Sequence, residues 1–261
     1  AARGFDEIDD IVSMFQLASL AKQPESSGMS PALLRRVMNA CLRGGSAENA
    51  TALARLAANS RVPEKLRLEA IHNLQNWNSP PPLDRVSGKW RPISKRKHIE
   101  LASLIKPSLG GMLSGPNSIR QAGTQLAAKL GIKEVGPLLY ELFTNRSQSS
   151  GVRVEALRAL FALKSDKLAM ATNAALKDDR AIVRAEGLKL FALLKPQLAF
   201  PLAVTAINKG EAIEKQAAVA VLASLKSQLA DALLRDLLLE IKDGKVPPEI
   251  HLDVIQAVQQ R

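Results

Sequence analysis

Few residues of this chain are of a type that does chemistry, and they are scattered. There are three histidines, His72, His98 and His251, and one cysteine, Cys41. A zinc site takes three or four His, Cys or carboxylate ligands at short, regular spacings. His72 and His98 flank a common stretch, but no third ligand stands at a matching spacing. His98-Ile99-Glu100 repeats the His-x-Glu half of the zinc-deaminase signature, in which the Glu moves protons for a metal-bound water; the Pro-Cys-x-x-Cys half does not occur. Cys41 sits in Asn39-Ala-Cys-Leu42 within an apolar helical pattern, which reads as a buried, inert thiol. There is no Gly-x-Ser-x-Gly and no phosphate loop, and Gly110-Gly111 with Ser114-Gly115 reads as a helix-to-helix connection. The expectation is no catalytic residue, no metal, no cofactor and no enzyme activity in this chain.

The residues that do recur are basic. Arg67-Leu-Glu-Ala70, Arg120-Gln-Ala-Gly123, Arg153-Val-Glu-Ala156, Arg184-Ala-Glu-Gly187 and Lys215-Gln-Ala-Ala218 share a cation followed three places on by a small residue. The steps between these cations are 53, 33, 31 and 31 residues; Arg35 stands 32 before Arg67 and His251 stands 36 after Lys215. Two readings are open. The cations line a ligand groove, or they form a structural ladder in which each bonds an acid or a carbonyl of an adjacent repeat. The ladder is the expectation. Asp166 and Asp179 read as helix caps.

The elements that carry these residues are helices. Apolar residues recur at i, i+3, i+4 and i+7, as in Leu157, Leu160, Phe161 and Leu163, then Leu188, Leu190, Phe191 and Leu194. Ser30-Pro31 offers an N-cap with Pro at N1, and Pro63, Pro116, Pro137, Pro196 and Pro247 stand near other helix starts. Gly44-Gly45, Gly110-Gly111, Gly131, Gly210 and Gly244 stand where helices should stop. The pattern gives roughly twelve or thirteen helices and no strand. A period of 31–36 residues built from two helices is the mark of an α-solenoid. The expected fold is all-α, one array over 1–261 of about six helical pairs. Ala70, Gly123, Ala156, Gly187 and Ala218 would let neighbouring helices approach closely. Composition agrees, since 46% of residues are apolar while only 6 Phe, 2 Trp and 1 Tyr occur. It excludes a disordered, collagenous or disulfide-built chain and disfavours an all-β fold. No apolar run reaches the roughly 18–20 residues that span a bilayer. The chain opens Ala1-Ala2-Arg3-Gly4-Phe5, without initiator Met or apolar leader, and reads as a mature or excised piece.

The 53-residue step holds an insertion, 77–98, placed by this reading between the third and fourth pairs. Helical periodicity fails there. Both tryptophans, Trp77 and Trp90, lie in it with four prolines. Long insertions map to one face of a solenoid and are often functional. The chain carries 36 Lys+Arg against 25 Asp+Glu, a net +11, and Arg61–His98 alone holds nine cations and three acids, a net +6. Trp77, Asp84, Arg85, Lys89, Trp90, Arg91, Lys95, Arg96 and Lys97 are the candidate interaction residues, since Trp and Arg dominate interface hot spots. The competing reading is a loop folded back on the array, with both tryptophans as plugs and Lys95–Lys97 solvated. A mixture of the two is also open.

Asp179-Arg-Ala-Ile-Val183-Arg184-Ala-Glu-Gly-Leu-Lys-Leu-Phe-Ala-Leu-Leu resembles the second helix of a HEAT repeat, as does Arg153–Leu163. Repeats before Arg120 and after Lys215 are more degenerate. Glu69-Ala-Ile-His-Asn-Leu-Gln-Asn-Trp77, followed by Pro-Pro-Leu-Asp-Arg-Val-Ser-Gly-Lys-Trp-Arg-Pro92, is similar to the HEAT region of large exported bacterial proteins of the membrane-bound dehydrogenase-like, haem c-containing kind. Those join a β-propeller, a HEAT array and a c-type cytochrome domain. This chain has no Cys-x-x-Cys-His and no propeller repeat, so the resemblance implies the middle module alone, in an exported, periplasmic setting.

The function expected from these residues is a protein-interaction or scaffold module of a larger multidomain protein. Its partner would be another protein or neighbouring domains of the same polypeptide. The alternative is a nucleic-acid-binding, HEAT-like protein of the DNA-glycosylase type that uses the basic surface. Such enzymes hold a damaged base between groove aromatics, whereas Phe161 and Phe191 lie in apolar stripes here. Phosphate binding would show as a steep loss of duplex affinity between about 50 and 200 mM salt.

Overall fold

The computed structural model describes residues 11–23, 28–93 and 99–260. Among these the chain is all-helical, with fourteen α-helices and a single extended pairing between Leu83 and Trp90. Packing divides it into two compact units, Ala1–Val135 and Gly136–Arg261.

The first unit holds α1 (Ile11–Ser19), α2 (Pro31–Gly44), α3 (Ala47–Ala58), α4 (Glu64–Gln75), α5 (Leu101–Leu113) and α6 (Asn117–Lys129). They pack as the pairs α1/α2, α3/α4 and α5/α6, with α2, α4 and α6 forming one layer and α3 lying directly on α5. The insertion therefore follows the second described pair and not the third. The second unit holds α7 (Gly136–Thr144), α8 (Ser150–Ala162), α9 (Leu168–Ala175), α10 (Ala181–Leu194), α11 (Pro196–Lys209), α12 (Ala212–Ser224), α13 (Gln228–Lys242) and α14 (His251–Gln259). It stacks as four pairs, with α8, α10, α12 and α14 each packed on the next. Among the described residues there are thus seven pairs against the expected six or so, some of them built on helices as short as Leu168–Ala175, 8 residues.

Local chemistry explains most helix ends. Ser30 accepts the Leu33 N–H and Pro31 opens α2, while Ser149 accepts the Val152 N–H at the start of α8. Glu211 and Glu214 form a capping box on α12. Two expectations need correction. Asp179 does not cap α10; the carboxylate of its neighbour Asp178 accepts the Arg180 N–H, and Asp166 accepts from Ser165 Oγ instead of capping α9. Gly110-Gly111 does not end a helix but lies inside α5. A Cβ on Gly111 would stand 2.9 Å from the Ala58 Cβ, so the glycine is what lets α5 lie on α3.

The small residue of each repeat acts within its own pair. A Cβ on Gly187 of α10 would stand 2.8 Å from the Cβ of Ala175 in α9. Ala70, Ala156 and Ala218 are equally closed off. Of the stripes, Leu157, Leu160, Leu163, Leu188, Leu190 and Phe191 are buried, as is Leu222 of α12, each contributing about 1.5–3 kcal/mol of apolar burial, whereas Leu194, the last residue of α10, is 41% exposed.

A candidate interaction hairpin and the arginine ladder

Just past the end of α4, Trp77 turns into the first unit and is 1% exposed. Beyond the prolines the chain doubles back on itself. Arg91 N–H donates to Pro82 O at 2.8 Å, Asp84 N–H to Lys89 O at 2.9 Å and Gly88 N–H to Asp84 O at 2.8 Å. Gly88, at φ +71°, takes the left-handed conformation that this turn requires. The result is a short hairpin over 82–91, a form invisible to helical periodicity.

Asp84 builds the hairpin and fastens it. One carboxylate oxygen accepts the N–H groups of Val86 and Ser87, both at 2.9 Å, which closes the turn. The other accepts from Asn39 Nδ2 of α2 at 3.1 Å, with Arg43 Nη1 at 3.6 Å and Arg91 Nη1 at 4.0 Å. Arg43 Nη1 also donates to Arg91 O at 3.1 Å. Burial alone would raise the Asp84 pKa; the Ser87 N–H, the Asn39 amide, the Val86 N–H and the Arg43 charge outweigh it and hold the group below the ordinary carboxylate range. The hairpin lies nearly flush on α2 and α4, leaving about 10 Å³ beside Asn39, Arg43 and Asp84.

The pleat then sorts the side chains. Successive residues of an extended strand point to opposite faces, and directly paired residues share a face. Asp84 and Arg91 point inward and are buried, whereas their neighbours Leu83 and Trp90 are 51% and 71% exposed. Arg85 and Lys89 are exposed and have no ion-pair partner among the described residues. Of the nine candidates, Trp77, Asp84 and Arg91 hold the loop, and Trp90 presents outward with Leu83; Arg85 and Lys89 flank the turn and are exposed, although the pairing puts Lys89 opposite the buried Asp84. Lys95, Arg96 and Lys97, with His98, lie outside the described residues. Leu83, Asn39 and Arg43 were not among the candidates. The alternation Leu83-Asp84 against Trp90-Arg91 would have found the first; the other two sit on α2, some forty residues upstream, with no local signal.

The basic ladder turns inward. Arg67 Nε donates to Ala57 O at 2.8 Å, Arg153 Nε to Phe143 O at 2.8 Å and Arg184 Nη1 to Asp178 O at 2.8 Å, and Arg120 Nε bonds Gly115 O. Each of these carbonyls lies at or just past the C-terminal end of the first helix of the same pair. Ala57 O and Phe143 O are among the acceptors a helix leaves unpaired at the negative end of its dipole, and Gly115 O and Asp178 O lie in the turn that follows. Acids complete the set. Arg153 makes a two-pronged bond to Asp178, Arg184 bonds Glu214 at 2.7 and 2.8 Å, and Lys215 Nζ is 3.8 Å from Glu249. Glu69 on Arg35 and Glu186 on Arg158 repeat the theme, so in these two repeats the Glu two places after the cation ties its helix to the preceding repeat, whereas Glu155 bonds Arg158 within its own helix. Burial opposes ionisation of Asp178, but the Arg153 and Arg180 bonds hold its pKa low; the Arg184 bond does the same for Glu214.

The remaining reactive types are spread out. Cys41 is buried, its Sγ is 3.7 Å from Ala18 O, and burial pushes its pKa up to about 12, which keeps it a thiol. His251 Nε2 is 2.8 Å from Val246 O, and His72 is exposed. Among the described residues no three His, Cys, Asp or Glu gather as metal ligands, and no helix is long and apolar enough to cross a membrane. Neither a protein-family model nor a curated protein matches the chain.

Proposed function

We propose that the chain is a docking module of the HEAT type, without catalysis of its own, that engages an acidic protein surface through the 82–91 hairpin. The observation that carries this reading is the hairpin's two-sidedness. A buried carboxylate holds it to α2, while Trp90 and Leu83 stand side by side in solvent and Arg85 and Lys89, at the turn, are exposed without an ion-pair partner among the described residues. A large aromatic that is exposed and yet pre-positioned binds with little ordering cost. The resemblance of 69–92 to exported dehydrogenase-like proteins supports placing the module in a larger polypeptide, whose redox chemistry belongs to other domains.

The test is a photo-crosslinking residue at Leu83 in the native source. The expected adduct joins the hairpin to one acidic polypeptide or to another part of the same polypeptide, and Trp90→Ala with Arg85→Ala and Lys89→Ala abolishes it. Turnover of any substrate by the purified chain, lost on changing one residue, would overturn the reading.

A further inference from the structure

The second helices of the unit Gly136–Arg261 share one register. Counting from Arg153, Arg184, Lys215 and His251, the positions one and four residues on are Val154 and Leu157 in α8, Ala185 and Leu188 in α10, Gln216 and Val219 in α12, and Leu252 and Ile255 in α14. In the first three helices five of these six positions are buried, and the sixth, Gln216, is exposed but bonded to the following pair. Val154 is 5% exposed, Leu157 0%, Ala185 3%, Leu188 4% and Val219 1%, while Gln216 Nε2 donates to Glu249 O of the next pair at 3.0 Å. In α14 the same two positions are bare, Leu252 at 65% and Ile255 at 38%. Seven residues on, Leu160, Phe191 and Leu222 are buried, whereas Val258 borders an open concavity of about 380 Å³ lined also by Asp231, Leu234 and Arg235.

A repeat that ends a stack carries a polar outer face, because nothing will cover it. Leu252 and Ile255 are the opposite: Ile255 sits at the position that all three inner helices bury, and Leu252 at one that α8 and α10 bury and that α12 fills with the exposed Gln216. We propose that this face of α14 is a docking surface for a further helical pair of the same kind, stacked end-on in the register of the inner interfaces. A second copy of the same face is a poorer fit. Each inner interface is two-sided, with the incoming pair bringing a carboxylate to the helix before it: Glu186 to Arg158, Glu214 to Arg184 and Glu249 to Lys215. Two α14 faces brought together would both be outgoing sides. The proposal does not depend on the role of the hairpin.

The experiment extends the full chain past residue 261 with a duplicate of its own residues 226–260 as the probe pair. The added pair is expected to raise Tm by about 3–5 °C and to protect the α14 amides from hydrogen exchange. Leu252→Glu with Ile255→Glu should abolish both gains while leaving the Tm of the unextended chain unchanged. An extension that neither raises Tm nor gains protection overturns the proposal. So does an equal Tm loss from the double substitution in the unextended chain. So does light scattering that finds the unextended chain a dimer which the double substitution disperses, since the occupant would then be a second copy.

Discussion

The arginine ladder and the hairpin both bury a carboxylate, and they use it to different ends. Asp178 meets Arg153 in a two-pronged bond between two side chains that are each 4% exposed, and the guanidinium also closes the Phe143 carbonyl. Charge there is consumed inside the fold. Asp84 is satisfied chiefly by neutral donors, the Val86 and Ser87 N–H groups and the Asn39 amide, with the nearest guanidinium nitrogens 3.6 and 4.0 Å away. The hairpin thus anchors itself without neutralising Arg85 and Lys89. On the proposed reading, the region whose cations are all bonded is structural, and the region anchored by one acid with its other cations left outside is the one a partner would meet.

The sharpest way to break this comparison is Arg153→Ala. It leaves Asp178 buried without its partner, and the expected loss is about 3–5 kcal/mol in urea unfolding. A loss below about 1 kcal/mol would mean that the ladder is not structural. The two tryptophans give a second contrast. Trp77→Ala removes a fully buried side chain and should cost about 3–5 kcal/mol, whereas Trp90→Ala should change stability by less than about 0.5 kcal/mol while weakening partner binding at least tenfold. Equal effects on stability would remove the distinction between anchor and contact.

Asp84→Ala should fall between, at about 2–3 kcal/mol, because it strands Arg43 and Arg91 and reopens the turn. Exchange of the Val86 and Ser87 amides should accelerate more than that of the α10 amides. Acid should reach both regions by the same sign. The folded pKa values of Asp84, Asp178 and Glu214 lie below their unfolded ones. The unfolded chain therefore takes up protons first, so their contribution is complete above about pH 5 and is lost as pH falls through and below about 4. Arg153→Ala should flatten that acid slope, as the smallest of these effects, read from urea midpoints across pH 3–6.

Much of this was legible in residues alone. The cation-to-small spacing located the second helices because period, charge and side-chain size repeat together, and the burial of Leu157, Leu188 and Leu222 follows from a stripe of period 3.6. The insertion was visible as a break in that period, and its net +6 singled it out. Its internal sorting was not visible. Trp77 and Trp90 are the same residue type in one loop, and only the pairing of Leu83 with Trp90 decides that one is buried and the other is bare.

The order of helices, the repeat length and the excess of cations were determined by the sequence, because each rests on local periodicity or on simple counting. Tertiary structure alone decided which cations are consumed and which are left. Arg153 finds Asp178 across 25 positions and Asp84 finds Asn39 across 45, and pairings at that range depend on how helices stack and not on any spacing along the chain. The physical reason is that a buried charge must be met by whatever donor the packing brings within about 3 Å. That donor's identity exists only once the chain has folded.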